Sequence, residues 1–235
     1  MTDHFEVQRL GHANHVSNDY DATKRAYQQV FDGWFFREWA QPEHGTTNAL
    51  ITLSDTCIEV FSVTDPGSPL GRWAGRQGLG GWHSLEWTIP SQDEGDEILR
   101  QRSIRITDRA EGAYTYSHPR DCHGLCLELT EHHFADDPRD DPGHPRQPTY
   151  WRDEQPLGVT GLACIRVSAA DATVSAEWLA DLTGTDVTYE RARPGLGARA
   201  AGVALAGHTI EFVSPVGTGP IEAFLASGGE RIYGL

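Results

Sequence analysis

Cys57-Ile58-Glu59-Val60-Phe61, Leu125-Cys126-Leu127-Glu128-Leu129 and Thr209-Ile210-Glu211-Phe212-Val213 read as three versions of one strand, apolar with a single central glutamate. Each closes a stretch that opens on another short strand: Leu10-Gly11-His12-Ala13-Asn14-His15-Val16, Gly81-Trp82-His83-Ser84-Leu85-Glu86-Trp87 and Gly161-Leu162-Ala163-Cys164-Ile165-Arg166-Val167. From the third residue of the first opening, His12, to Glu59 is 47 residues; His83 to Glu128 is 45, and Leu162 to Glu211 is 49. Self-similarity at a fixed interval marks a chain built from copies of one supersecondary unit. A helix is expected inside each copy. Asp19 caps the first, Ser91-Gln92-Asp93-Glu94 forms a capping box for the second, and Ser168 to Asp171 precedes the third.

Outward from these strands, the chain divides into a first module over about 8–64, a second over about 80–131, a connector over 132–157 and a third module over 158–235. The last segment also holds the start of a truncated fourth copy, with Tyr233 where the second copy has His83. The connector is rich in Asp, His and Pro and reads as a solvated surface loop. A module without a full intramolecular partner is expected to pair with its counterpart in another chain, as a homodimer.

Composition narrows the function. The 235 residues carry 19 Lys+Arg against 34 Asp+Glu, a formal charge of −15, with Lys24 the only lysine. Phosphate backbones need clustered cations, so a nucleic-acid partner is not expected. No window reaches the ~20 apolar residues of a membrane span, and the N-terminus has neither a basic start nor an apolar run. The four cysteines lack zinc-finger spacing, and three lie in strand-like apolar runs, which fits reduced, buried thiols in a cytoplasmic protein. The glycine-rich run Gly75–Gly81 lacks the Gly-Lys-Ser/Thr ending of a phosphate loop, and no Gly-x-Ser-x-Gly elbow occurs.

The glutamates and histidines carry the chemistry. Alternate residues of a strand share a face, so His12 sits with Asn14 and Val16, Glu59 with Cys57 and Phe61, and Glu128 with Cys126. If the strands curl into one cup, His12, Glu59, His83 and Glu128 converge as two imidazoles and two carboxylates. That set suits Fe, Mn, Co, Ni or Zn as one divalent ion. The third copy serves as an internal control: it keeps Glu211 without a histidine at the corresponding place, so Glu211 is expected to be structural. Asn48, Trp87, Tyr116 and His118 are expected to line the cup and touch substrate.

On these residues the chain resembles the vicinal oxygen chelate superfamily, which includes glyoxalase I, methylmalonyl-CoA epimerase and extradiol dioxygenases. The resemblance rests on His12 with Asp19 and Tyr27, on Gly81-Trp82-His83, and on the hairpin from Ser117-His118-Pro119 to Glu128-Leu129. It implies an α+β fold of paired βαβββ modules, with the 1–131 pair holding metal on His12, His83, Glu128 and Glu59. It also implies Lewis-acid chemistry on a small substrate with neighbouring oxygens. The expected reaction is an isomerase, epimerase or lyase step, with a metal-stabilised enolate and Glu59 or Glu128 as base. An Fe(II) ring-cleaving dioxygenase and a non-catalytic binding or resistance protein are the alternatives.

Overall fold

The computed structural model describes residues 3–76 and 80–235; the centre of the glycine-rich run, 77–79, lies outside the described residues. The first copy runs β1 (Arg9–Ser17), α1 (Tyr20–Phe31), β2 (Trp34–Gln41), β3 (Thr46–Leu53) and β4 (Thr56–Val63), followed by α2 (Pro69–Arg76). The second runs β5 (Gly81–Thr88), α3 (Gln92–Gln101), β6 (Ile106–Ala110), β7 (Tyr114–Ser117) and β8 (Leu127–Thr130). After α4 (Pro148–Asp153), the third runs β9 (Cys164–Ser168), α5 (Ala172–Thr183), β10 (Val187–Arg193), β11 (Ala198–Leu205) and β12 (His208–Pro215). Then come α6 (Pro220–Gly228) and β13 (Arg231–Gly234).

Each copy is therefore β-α-β-β-β, and the strand order repeats: β2-β3-β4-β1, then β6-β7-β8-β5, then β10-β11-β12-β9. In every copy the opening strand lies parallel to the closing one (β1 with β4, β5 with β8, β9 with β12), while the others pair antiparallel. A parallel pair needs a crossover, and here the helix with two strands supplies it. The caps form as the sequence predicts. Asp19 accepts from the Ala22 amide at 2.9 Å, Ser91 from that of Glu94 at 3.4 Å, and Asp171 from those of Thr173 and Val174. All four cysteines are free thiols, three buried and Cys164 half-buried. No helix among the described residues is long and apolar enough to cross a membrane.

The chain forms two compact units. One gathers Gly11–His83 and His133–Leu162; the other gathers Met1–Leu10, Ser84–His132 and Ala163–Leu235. In the first, Ile51, Ile58 and Val60 form a core with Tyr20, Tyr27 and Phe35. The connector is not a solvated loop in this unit. Trp151 on α4 is fully buried and donates its indole N–H to the Phe31 carbonyl at 2.9 Å. Arg139 is nearly buried, paired with Asp137 and hydrogen-bonded to the Gly11 carbonyl at 2.6 Å. Its polar composition misleads because its charges are matched internally and one Trp supplies the anchor. In the other unit the second and third copies touch directly: Arg102 pairs with Asp181, and the His123 ring lies 4.8 Å from that of Trp178; the N-terminal segment joins them, the Phe5 amide donating to the Leu182 carbonyl at 2.8 Å.

Candidate metal centre

Register fixes what faces each glutamate. In β1 and β4, Asn14 lies opposite Glu59; in β5 and β8, Glu86 lies opposite Glu128; in β9 and β12, Arg166 lies opposite Glu211. One glutamate position is thus met by a neutral, an acidic and a basic partner in turn.

In the Gly11–His83 unit, His12 and Glu59 meet. Nε2 of the imidazole lies 2.8 Å from Oε2 of the carboxylate, and both side chains are buried. The second carboxylate oxygen, Oε1, accepts from Asn48 Nδ2 at 2.9 Å, and the same amide donates to Gln41 at 3.0 Å. Asn48 therefore orients Glu59, where the sequence reading made it a substrate contact. The arrangement fits a divalent ion through its donor chemistry: an imidazole nitrogen and a carboxylate oxygen converge at one buried point. The other carboxylate oxygen is fixed by an outer amide, as metal-ligating carboxylates usually are.

His83 packs its ring edge-on against Trp73 of α2, 4.9 Å between centroids. Trp73 in turn packs with Val16 and Phe61, which continue the His12 and Glu59 rows along β1 and β4. His83 thus borders that face through Trp73.

In the other unit, Glu128 and Glu86 face each other across β5 and β8, and both are buried. Sequence reasoning does not single out Glu86; its signal is a carboxylate set between the apolar Leu85 and Trp87. Two carboxylates side by side in a low-dielectric site repel unless a proton or a cation is shared between them. Tyr116 lies opposite Glu128 on the β7 side and is partly exposed. Trp87, in register with Leu129, is 1% exposed and belongs to the core, not to a substrate wall. His118 caps the Pro119–Asp121 turn, its Nδ1 accepting from the Arg120 amide at 3.1 Å. Burial chiefly, with Arg105 next, lowers its pKa.

The third copy corrects the alignment by spacing. Counting placed Leu162 at the His12 position, but Leu162 precedes β9. The residue two before Arg166, as His12 is two before Asn14, is Cys164. Glu211 is fully buried and bound by Arg166 at 2.8 Å, Arg191 at 3.2 Å, Tyr189 at 2.8 Å, and Arg193. Burial raises its pKa, and these hydrogen bonds outweigh that, holding it at about 2.

Comparison with known proteins agrees with this architecture. The family model of the glyoxalase-like domain matches residues 10–183. The ethylmalonyl-CoA/methylmalonyl-CoA epimerase of Cereibacter sphaeroides is 26% identical over 132 residues, 52% of this chain and 98% of that protein. Mitochondrial methylmalonyl-CoA epimerase of Mus musculus is 26% identical over 134 residues, 53% of this chain and 75% of that protein. Among solved structures, a mutant of 4-hydroxymandelate synthase from Streptomyces coelicolor superposes with a TM-score of 0.71 at 11% identity. The match covers 96% of this chain and 69% of that one, and it is a likeness of fold.

Proposed function

The chain belongs to the glyoxalase-like domain family within the vicinal oxygen chelate superfamily, and on that footing we propose that it is a divalent-metal-dependent enzyme of proton transfer next to a carbonyl. His12 and Glu59, with Glu128 from the second copy, are the proposed metal ligands; the register that puts Cys164 at the His12 place puts Ser84, two before Glu86, there in the second copy, so His83, expected from spacing as a ligand, stands one residue off that place and packs on Trp73 instead. The observation that carries this reading is the buried 2.8 Å approach of His12 Nε2 to Glu59 Oε2, with Asn48 holding the other carboxylate oxygen.

A divalent ion held there supplies Lewis-acid polarisation of a substrate carbonyl. The rest of the chemistry falls to the chain. A carboxylate is the proton acceptor for the C–H beside that carbonyl, and β4 and β8 each offer one, Glu59 and Glu128. Glu59 is held at one oxygen by Asn48, so it suits holding more than moving. Glu128, buried beside Glu86 in register, is the proposed acceptor. Returning the proton to the opposite face gives epimerisation; returning it to a neighbouring atom gives isomerisation; losing a β-substituent gives a lyase. The Tyr116 hydroxyl, beside Glu128 in register, is the proposed contact that orients the substrate.

The test is elemental analysis of purified protein, followed by turnover in deuterated water with 2-substituted acyl-CoA thioesters, methylmalonyl-CoA first. Wild type should carry one divalent ion per chain and place deuterium at carbon 2. His12→Ala, folded by circular dichroism, should lose both. A folded His12→Ala protein that keeps metal and turnover sinks the proposal. Iron-dependent oxygen uptake without deuterium incorporation replaces it with the dioxygenase reading, and tight ligand binding without turnover with the binding-protein reading.

A further inference from the structure

The third copy repeats the metal-bearing scaffold with a different charge. Strand registers make the comparison residue by residue. Cys164 stands where the first copy has His12, Arg166 where it has Asn14, and Glu211 where it has Glu59. On the outer strands, Arg191 pairs with Ala200 as Trp39 pairs with Asn48, and Arg193 pairs with Ala198 as Gln41 pairs with Thr46. The amide pair Gln41 and Asn48, which fixes Glu59, thus gives way to guanidinium groups on Glu211.

These arginines are more than Glu211 needs. Each guanidinium has five N–H donors, and a carboxylate has about four acceptor positions. Arg166, Arg191 and Arg193 all direct their hydrogen bonds to Glu211, which also accepts from the Tyr189 hydroxyl. Beyond Glu211, Arg191 lies over the Tyr189 ring, 4.1 Å to the centroid, and Arg193 also meets the Tyr189 hydroxyl; no second carboxylate pairs with any of the three among the described ion pairs. The single carboxylate leaves two positive charges uncompensated. The three side chains are 32%, 48% and 26% exposed, so their remaining donors reach solvent. Gly202 forms the floor: a Cβ there would meet the Tyr189 ring at 2.3 Å, so the absent side chain lets Tyr189 lie flat and reach Glu211. In a chain of net charge −15 such a basic patch is not an overspill of composition.

We propose that this face of the third copy is an oxyanion-binding site for a doubly charged phosphate group, free or as a phosphate monoester, with Arg166, Arg191 and Arg193 as the receptor and Glu211 as their anchor. Guanidinium forks match phosphate oxygens in pairs, and a dianion balances the two surplus charges. Glu211 keeps the guanidinium groups together before the ligand arrives, so little ordering remains at binding.

Inorganic phosphate is the probe, titrated by calorimetry into the full chain at low salt, with acetate at matched ionic strength as control. Phosphate should bind one per chain and weaken as salt rises, and acetate should not bind. Arg191→Gln removes the most exposed and longest of the three contacts and should weaken phosphate about tenfold or more. Arg191→Lys, which keeps the charge, should fall between the two and guards against a variant that fails to fold. Cys164 gives a second readout, since it is the one cysteine not fully buried. Phosphate should slow its modification by a thiol reagent in wild type, less so in Arg191→Gln, and Cys164→Ser should abolish the signal. Phosphate binding no stronger than acetate, or unchanged in folded Arg191→Gln, overturns the proposal.

Discussion

Replacing Asn48 by Ala tests the metal centre without touching a proposed ligand. Asn48 Nδ2 donates to Glu59 Oε1 at 2.9 Å and to Gln41 Oε1 at 3.0 Å, in a buried setting. The first is a hydrogen bond to a charged group, worth about 1.5–3 kcal/mol, and losing such an outer contact costs about 10–100-fold in metal affinity. The two estimates agree, since 1.4 kcal/mol is about a factor of 10. The assay is thermal or urea unfolding of apo and metal-loaded protein. At free metal 100 times the wild-type dissociation constant, binding stabilises wild type by about 2.7 kcal/mol; a 30-fold weaker site gains only about 0.9 kcal/mol at the same concentration. Apo Asn48→Ala should itself lose about 1–3 kcal/mol, because Gln41 and Glu59 lose a donor. The comparison of apo with loaded protein separates the two effects. If the folded variant gains as much from metal as wild type, Asn48 does not orient a ligand, and Glu59 is then a structural partner of His12.

Two further outcomes follow from the other parts of the fold. Glu211, held at about 2 by its arginines against an ordinary value near 4.5, contributes stability that is present above about pH 4.5 and lost as pH falls toward 2. The difference corresponds to about 3 kcal/mol, so stability of wild type should fall over that window and that of Glu211→Gln should vary less there, read by urea unfolding at stepped pH. Trp151→Ala should cost about 3–5 kcal/mol in the same assay and Trp151→Phe, which loses the bond to the Phe31 carbonyl, about 1 kcal/mol; a loss under 0.5 kcal/mol for the alanine variant would mean that α4 does not anchor its unit.

The repeat was legible because it is written in residue types: a glutamate centred in an apolar strand, and a histidine ahead of it at nearly constant distance. His12 and Glu59 follow from that spacing and meet. What faces each glutamate was not legible, since Asn14, Glu86 and Arg166 become partners only once parallel strands are set in register, and register depends on crossovers whose lengths differ. The same cause put Leu162 in place of Cys164, two residues off. Asn48 and Trp87 were read as lining because sequence marks a polar or aromatic strand residue but not its face. The connector misled through composition: Arg139 is balanced by Asp137 and Trp151 is buried, and neither fact is visible in a polar, Pro-rich run.

A glutamate in a closing strand is not by itself a metal ligand; its neighbours decide. Beside Asn14 and His12, Glu59 has a neutral partner and a nitrogen donor, so its carboxylate remains available to a cation. Beside Glu86, Glu128 adds to a negative pair, which calls for a cation or a proton. Beside Arg166, with Arg191 and Arg193 on the next strand but one, Glu211 is already overcompensated, and the surplus calls for an anion. One strand plan therefore serves opposite electrostatic ends through substitutions on neighbouring strands. Converting the third copy into a metal site would take more than Cys164→His, because three guanidinium groups would still repel a divalent ion at that point. Arg191 and Arg193 would have to go as well, and with them the charges that make burial of Glu211 tolerable. The contacts that bury Glu211 in the third copy are the same ones that would oppose a divalent ion there.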